Sequence, residues 1–202
     1  MIKNITTSLM LILFAMDSSQ MSTYTISELF NKAPASIFDH TTEGISLEEK
    51  NDLISKGETE NWKITAKSDK MLEIKCKHPS SQITFFLLER QNSSPLMMSY
   101  TLNEVSSEIE TWGLTSEGII VKENLLPAIA AREFFSENRW FDNISDFDNN
   151  VQYHFDTKTH LIHVELFGWM EESMKFLKLD YDITLKWTEN GFEKQKTNRD
   201  NN

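Results

Sequence analysis

From Trp62 onwards, apolar residues of this chain alternate with polar ones, a pattern that predicts β-strands rather than helices. In the segment MLEIKCK, one face of a strand would carry Leu72, Ile74 and Cys76, and the other face would carry charged residues. The next segment, ITFFLL (83–88), is apolar on both faces. Such a strand belongs in the middle of a sheet that is covered on both sides. We therefore expect a layered β-structure, with the helix that carries Leu53 and Ile54 on one side of this sheet.

Short polar turns divide the rest of this region into further strands. Ser-Asp, Pro-Ser-Ser and Asn-Ser-Ser follow the first three strands, and Thr-Glu-Asn-Gly joins the last two as a hairpin turn. These segments predict about eight to ten antiparallel strands. Each half of the chain has a hairpin with a polar tip and a strand that contains Ile-Thr. The pattern is therefore compatible with two similar β-rich halves or with one continuous sheet.

Two capping boxes predict short helices before the strands. Thr25 and Glu28 have capping-box spacing, and so do Ser46 and Glu49. The helices should cover about 26–33 and 47–56, and in the second of them Leu47, Leu53 and Ile54 should lie near one face. A third helix is expected over LLPAIAAREFF (125–135), since Asn124 could cap it and Pro127 is tolerated in the first turn. The predicted fold class is α+β, mainly antiparallel sheet with two or three short helices.

The predicted organisation has four parts. They are a signal peptide at 1–20, an N-terminal α+β half at 21–123, a C-terminal β-rich half at 124–197 and a disordered tail at 198–202.

The leader is the basis for predicting export. Lys3 precedes a mostly apolar run at 5–16, which is typical of a secretory signal peptide and too short to cross a bilayer as a helix. No small-x-small cleavage triplet follows the run. The alternative is that translation starts at Met21 and the product stays in the cytoplasm. We expect a periplasmic or secreted protein, with no transmembrane helix in the mature chain.

Composition excludes several classes of function. The formal net charge is −11, from 31 acidic and 20 basic residues, so the surface would repel nucleic-acid backbones. A single cysteine, Cys76, excludes an intramolecular disulfide framework and any multi-cysteine metal site. It lies two residues from His78, but it continues the apolar face of its strand and is therefore expected to be buried and inert. No nucleophile elbow, phosphate-binding glycine loop or His-Glu-x-x-His motif is present. These observations do not favour an enzyme, and no cofactor is predicted.

The segment HFDTKTHLIHVEL contains three of the five histidines and predicts a hairpin. If Thr157 and Lys158 form the turn, His154 and His163 lie diagonally on the polar face beside Gln152 and Glu165. Imidazole and carboxylate ligands suit zinc. A solvated hairpin face is the preferred interpretation, so His154 and His163 are only weak metal candidates.

Aromatic residues supply the candidate binding surface. The segment FGWMEESMKF brackets a crossover between strands, and an irregular link rich in Trp and Met can form a contact surface. The residues selected for a ligand or partner surface are Trp140, Phe167, Trp169 and Met170.

The opening segment SELFNKAPAS, followed by antiparallel strands in two portions, resembles the small exported proteins of unknown function from Bacteroidetes. The likeness covers most of residues 26–127 and implies an envelope location, without a catalytic residue to transfer. The function that we expect is a non-catalytic binding or protein-interaction module, with a protein or small-molecule partner. The alternatives are a carrier of small apolar ligands or lipids and, less favoured, a hydrolase.

Overall fold

A computed structural model of the chain describes residues 24–41, 43–78, 81–90, 94–104, 106–136, 151–168 and 179–199. The predicted signal peptide lies outside these residues, and so do Trp140, Trp169 and Met170.

Two short α-helices open the described chain. Helix α1 (Ile26–Lys32) and helix α2 (Leu47–Lys56) both begin with the predicted capping boxes, in which the cap side chain accepts a backbone N–H and the glutamate side chain reaches back. Helix α2 ends at Gly57, whose φ of 84° is a left-handed conformation that glycine adopts without strain. A 3-10 helix, Ala35–Phe38, lies between the two α-helices.

The predicted buried face of α2 is partly wrong. Leu53 is fully buried, but Leu47 is 65% exposed, and Lys50 is buried instead. Lys50 and Leu53 are three positions apart and share the buried face, whereas Leu47 is the first residue of the helix and its side chain stays exposed.

The predicted helix over 125–135 is also wrong. Only a 3-10 turn, Ala131–Phe134, forms in this segment. The residue before a proline is disfavoured in the α conformation, which opposes a helix at Leu126 ahead of Pro127. Instead, Leu125 donates its N–H to the Thr111 hydroxyl at 3.4 Å, and Ile129 is buried in the core.

In the part of the chain that the structure describes, ten antiparallel strands form two sheets, which confirms the predicted fold class. In both sheets, consecutive strands are neighbours. The six-stranded sheet contains β1 (Trp62–Lys67), β2 (Met71–Cys76), β3 (Gln82–Leu88), β4 (Leu96–Leu102), β5 (Ser107–Leu114) and β6 (Ile120–Glu123). The four-stranded sheet contains β7 (Val151–Asp156), β8 (Leu161–Leu166), β9 (Tyr181–Thr188) and β10 (Gly191–Asn198).

Two hydrophobic clusters hold these layers together. On one face of the six-stranded sheet, the helices pack against a cluster that includes Leu53, Trp62 and Phe85. On the other face, the four-stranded sheet packs against a cluster that includes Phe86 and Phe155, which we call the inter-sheet core. Strand β3 is thus covered on both sides, as its sequence predicts, and the second layer is a sheet.

The described residues contain no helix that is long and apolar enough to cross a membrane.

The strands of the two sheets come from opposite sides of residue 124 in the chain, and the two sheets share the inter-sheet core. Division of the chain into two domains at this point stays a prediction.

Candidate functional site

A cleft of about 420 Å³ opens where the two sheets meet at one end of the molecule. Each sheet contributes the ends of its strands and the adjoining turns. The apolar lining includes Phe86, Leu88 and Met98 from the six-stranded sheet and Phe155, Trp187 and Phe192 from the four-stranded sheet. The first four of these side chains also belong to the inter-sheet core. The cleft is therefore a place where the core reaches the surface, and we call it the inter-sheet cleft.

A tryptophan fixed by a hydrogen bond forms one wall of the cleft. The indole Nε1 of Trp187 donates to the backbone oxygen of Glu89 at 2.9 Å and so links β9 to the end of β3. The Phe192 ring packs edge-on against the indole, with the ring centroids 5.0 Å apart. Because the hydrogen bond fixes the indole edge and the aromatic contact supports its face, this wall is preorganised.

The loop between β7 and β8 supplies a histidine to the mouth of the cleft. The imidazole of His160 lies 4.6 Å from the Phe86 ring and 6.4 Å from the Phe155 ring, measured between centroids. His160 has a φ of 57°, a left-handed conformation that is uncommon outside glycine but is found several-fold more often for histidine.

The side chain of Asp156 holds this loop in shape. It accepts hydrogen bonds from the Thr159 hydroxyl at 2.7 Å and the Lys158 N–H at 2.8 Å. The bond from Thr159, followed by that from Lys158, lowers the pKa of the Asp156 carboxyl. The N–H of His160 also donates to the Asp156 carbonyl at 2.8 Å, so the position of the imidazole is set by local bonds.

Charges of both signs surround the mouth. The ammonium group of Lys70 lies 2.7 Å from the carboxylate of Glu89, and both side chains are exposed. Lys186 and Glu189 also line the cleft. With two cations and two anions, this rim does not select strongly for either sign of ligand charge.

The histidine hairpin has a different register from the predicted one. His154 pairs directly with His163, and Phe155 pairs with Ile162. The loop contains four residues, 157–160, where two were expected, so the pairing moves by two positions. A shift of two preserves the faces of a strand, and His154 and His163 therefore remain on the polar face, as predicted.

The geometry around these histidines is that of a surface network. The Nε2 atom of His154 lies 3.3 Å from the Glu165 carboxylate, and its Nδ1 atom lies 3.4 Å from the Tyr100 hydroxyl. Burial raises the pKa of Tyr100, which favours the neutral phenol next to the imidazole. Within the described ranges, no group of three or more His, Cys, Asp or Glu side chains is placed to hold a metal ion.

A second polar cluster lies on the helix side of the six-stranded sheet. The buried Glu110 carboxylate is 2.6 Å from the Lys122 ammonium and 3.6 Å from Nε2 of His40. These contacts tie β5 to β6 and to the turn that follows the first 3-10 helix. Since Glu110 has the Lys122 ammonium and the His40 imidazole as neighbours, the cluster is best explained as a structural polar network.

Cys76 is buried in the cluster beneath the helices. Its thiol donates to the backbone oxygen of His78 at 3.0 Å, so it contacts the main chain of this histidine.

Of the residues predicted to form the aromatic surface, only Phe167 lies within the described ranges, and the rest of that surface stays a prediction. Phe167 packs against the inter-sheet core just beyond the end of β8, whereas the cleft is at the opposite end of this strand, beside His160. The sequence did not indicate that Phe86, Phe155, Trp187 and Phe192 line one cleft, because these side chains meet only when the two sheets pack. One feature of the sequence did point to part of this cleft: Trp187 and Phe192 lie on either side of the Thr-Glu-Asn-Gly turn, which predicts that they are close to each other.

Comparisons with known proteins give a likeness of fold. No protein-family model matches the sequence, and no curated protein matches it significantly. A solved structure that is similar is that of a domain of an uncharacterized protein from Porphyromonas gingivalis W83, with a TM-score of 0.57 and 14% sequence identity. The match covers 85% of this chain and 98% of that one. Its source is consistent with the resemblance to Bacteroidetes proteins of unknown function, and at this identity the likeness concerns the fold alone.

Proposed function

We propose that this chain is an exported, non-catalytic binding protein whose ligand is a small, largely apolar molecule held in the inter-sheet cleft. The observation that carries the proposal is the cleft itself, in which apolar side chains from two sheets surround about 420 Å³. Pockets for small molecules in proteins are concave, mostly apolar and about 300–1,000 Å³ in volume.

The size and the rim of the cleft favour a compact ligand over a lipid. Its volume lies near the lower end of the range for small-molecule sites, and charged side chains surround its mouth. A long acyl chain would have to leave the apolar lining and pass these charges. Among the alternatives raised by the sequence, a small apolar ligand therefore fits better than a lipid.

The leader supports the exported location. Lys3 and the apolar run at 5–16 predict a signal peptide, so native protein should begin between about Met16 and Thr23 and be found in the periplasmic fraction. N-terminal sequencing of the fractionated native protein tests this part of the proposal. A cytosolic product that begins at Met21 would contradict export and leave the cleft assignment intact.

Binding of toluene to matched aromatic variants tests the site. Phe192 lines the cleft, while Phe167 is also a half-buried ring that packs against the inter-sheet core but lies at the other end of β8. Phe192→Ala should weaken toluene binding about tenfold, since the ring supplies one wall and tenfold corresponds to about 1.4 kcal/mol of apolar contact. Phe167→Ala should leave the affinity within about twofold of the wild type.

The opposite pattern would favour the surface that the sequence predicts. If Phe167→Ala weakens binding and Phe192→Ala does not, the ligand site lies near the end of β8 that carries Phe167. If the wild-type protein binds no toluene up to the solubility limit, the proposed function is wrong.

A further inference from the structure

We infer that His160 is the polar anchor of the inter-sheet cleft, and that the ligand is a free aromatic ring bearing a hydroxyl group. This inference rests on the proposed function and adds the class of ligand and a residue that determines specificity.

The position of His160 makes it suitable for this role. Its imidazole packs on Phe86, which is only 8% exposed, and lies nearly parallel to Phe155, with an angle of 16° between the rings. His160 is itself exposed, so a polar ring that solvent reaches is held against the apolar lining at the mouth of the cleft. The left-handed backbone at φ 57° and the hydrogen bonds of Asp156 fix the loop that delivers it.

The other uncharged polar side chains that line the cleft already have partners. Trp187 donates its indole N–H to Glu89, Thr188 donates its hydroxyl to the Gly191 carbonyl, and Thr159 donates its hydroxyl to Asp156. Within the described residues, the imidazole nitrogens of His160 make no hydrogen bond. The imidazole is therefore the uncharged polar side chain that remains available to a ligand in the cleft.

These surroundings define the chemistry of the ligand. A flat ring would pack against Phe86 and the Trp187 wall, and its hydroxyl group would donate to the unprotonated nitrogen of His160. A hydroxyl group that enters an apolar site without a partner loses its hydrogen bonds to water, which weakens binding. A hydrogen bond to the histidine should remove this penalty. The cleft should therefore bind a phenol at least as well as the corresponding hydrocarbon, whereas a purely apolar pocket would prefer the hydrocarbon.

A matched ligand pair tests the inference. Toluene and p-cresol differ by one hydroxyl group, so the ratio of their dissociation constants isolates its effect. Wild-type protein should bind p-cresol at least as tightly as toluene. In His160→Phe, which keeps a ring and removes the nitrogens, p-cresol should become about fivefold weaker relative to toluene, the factor expected for one lost hydrogen bond. Retained toluene binding will show that this variant is folded.

His160→Gly serves as a second variant. A phenylalanine at position 160 would be strained by the left-handed backbone, whereas glycine adopts positive φ without cost. The same fivefold change in the ratio is expected there, along with weaker binding of both ligands. N-acetyl-tyrosinamide, which presents the phenol as a polypeptide would, should bind more weakly than p-cresol.

Three results would overturn the inference. One is a wild-type protein that prefers toluene, and a second is an unchanged ratio in both variants. The third is tighter binding of N-acetyl-tyrosinamide than of p-cresol, which would assign the site to a polypeptide partner. In the first two cases toluene still binds, so the proposed function stands, whereas the third result also replaces the small-molecule ligand with a polypeptide. The proposed function fails on its own if the wild-type protein does not bind toluene.

Discussion

Phe85 and Phe86 are consecutive residues of β3, yet their side chains lie in two different hydrophobic clusters. Phe85 is fully buried beneath the helices, where its ring centroid is 5.1 Å from that of Phe30. Phe86 faces the second sheet and lies 5.5 Å from the Phe155 ring. One strand thus connects the helical layer to the wall of the proposed ligand site.

Truncation of these two rings should have unequal costs. Phe85→Ala should lower the free energy of unfolding by about 3–5 kcal/mol, because it leaves an enclosed cavity as well as losing transfer energy. Phe86→Ala should cost less, at or below the lower end of this range, since it enlarges a cleft that is already open. Chemical denaturation of both variants measures the difference. A larger cost for Phe86→Ala would mean that the cleft is closed in solution.

Lys50 makes stability depend on pH in the alkaline range. Its ammonium group is buried between α1 and α2, donates to the Ala33 carbonyl and lies 5.7 Å from the centroids of the Phe30 and Phe38 rings. Burial lowers the pKa of Lys50 from 10.5 to about 8. The unfolded chain therefore holds this proton over a pH range in which the folded protein releases it.

The sign of the effect follows from this difference in proton binding. Below pH 8 the cost of burying the cation is fully present, and as pH rises from about 8 towards 10.5 the folded state becomes relatively more stable. We expect the free energy of unfolding to rise between about pH 8 and 9.5, by at most about 1.4 kcal/mol per pH unit. Urea titrations of wild type and Lys50→Met measure it. An equal slope in Lys50→Met would show that another group is responsible.

Gly113 leaves room for a partly buried carboxylate beside β5 in the six-stranded sheet. A methyl group at this position would overlap the side chain of Glu123, which forms an ion pair with Arg90. Gly113→Ala should therefore displace the Glu123 carboxylate from Arg90 and destabilise the protein by about 1 kcal/mol, since the displaced atoms are the end of a flexible side chain. Gly44→Ala is the control, because its added methyl would meet no atom within 4 Å, and it should change stability by no more than about 0.5 kcal/mol.

A double-mutant cycle identifies the cause. With Glu123→Ala already present, Gly113→Ala should become neutral or slightly stabilising, since alanine is favoured over glycine within a strand. If the cost of Gly113→Ala is the same in both backgrounds, it arises from the backbone and not from the carboxylate.

The histidines of the β7–β8 hairpin should contribute little to folding. The side chain of His154 is 41% exposed and its contact with Glu165 is an exposed pair, while His163 is also exposed. Changing both residues to Ala should alter the free energy of unfolding by no more than about 1 kcal/mol. Metal analysis of the purified protein completes this test, because stoichiometric zinc that the double change removes would contradict a surface role.

Local patterns predicted most of the fold. Strand β2 was predicted correctly from the alternation in MLEIKCK, and strand β3 from the apolar residues on both faces of ITFFLL. The capping boxes predicted where α1 and α2 begin. The missing helix over 125–135 has a local cause as well as a tertiary one, because Pro127 disfavours the α conformation at Leu126. The apolar residues of 125–135 pack in the inter-sheet core without forming an α-helix.

The cleft could not be predicted because its parts are distant in the chain. Trp187 and the Glu89 carbonyl that fixes it are separated by 98 positions. His160 depends on a four-residue loop with a left-handed residue, whereas a two-residue turn was expected from Thr157 and Lys158. Periodicity shows which face of a strand is apolar, but it does not show which strand ends meet across two sheets.

The most direct test of the ligand site is methyl NMR during a toluene titration. Met98 and Leu88 line the cleft, whereas Leu53 is fully buried on the helix side of the six-stranded sheet. We predict saturable shifts of the Met98 and Leu88 methyl resonances and nuclear Overhauser effects from these methyls to the toluene ring, with Leu53 unchanged. If Met98 and Leu88 do not respond up to the solubility limit of toluene, or if Leu53 responds instead, the cleft is not the ligand site.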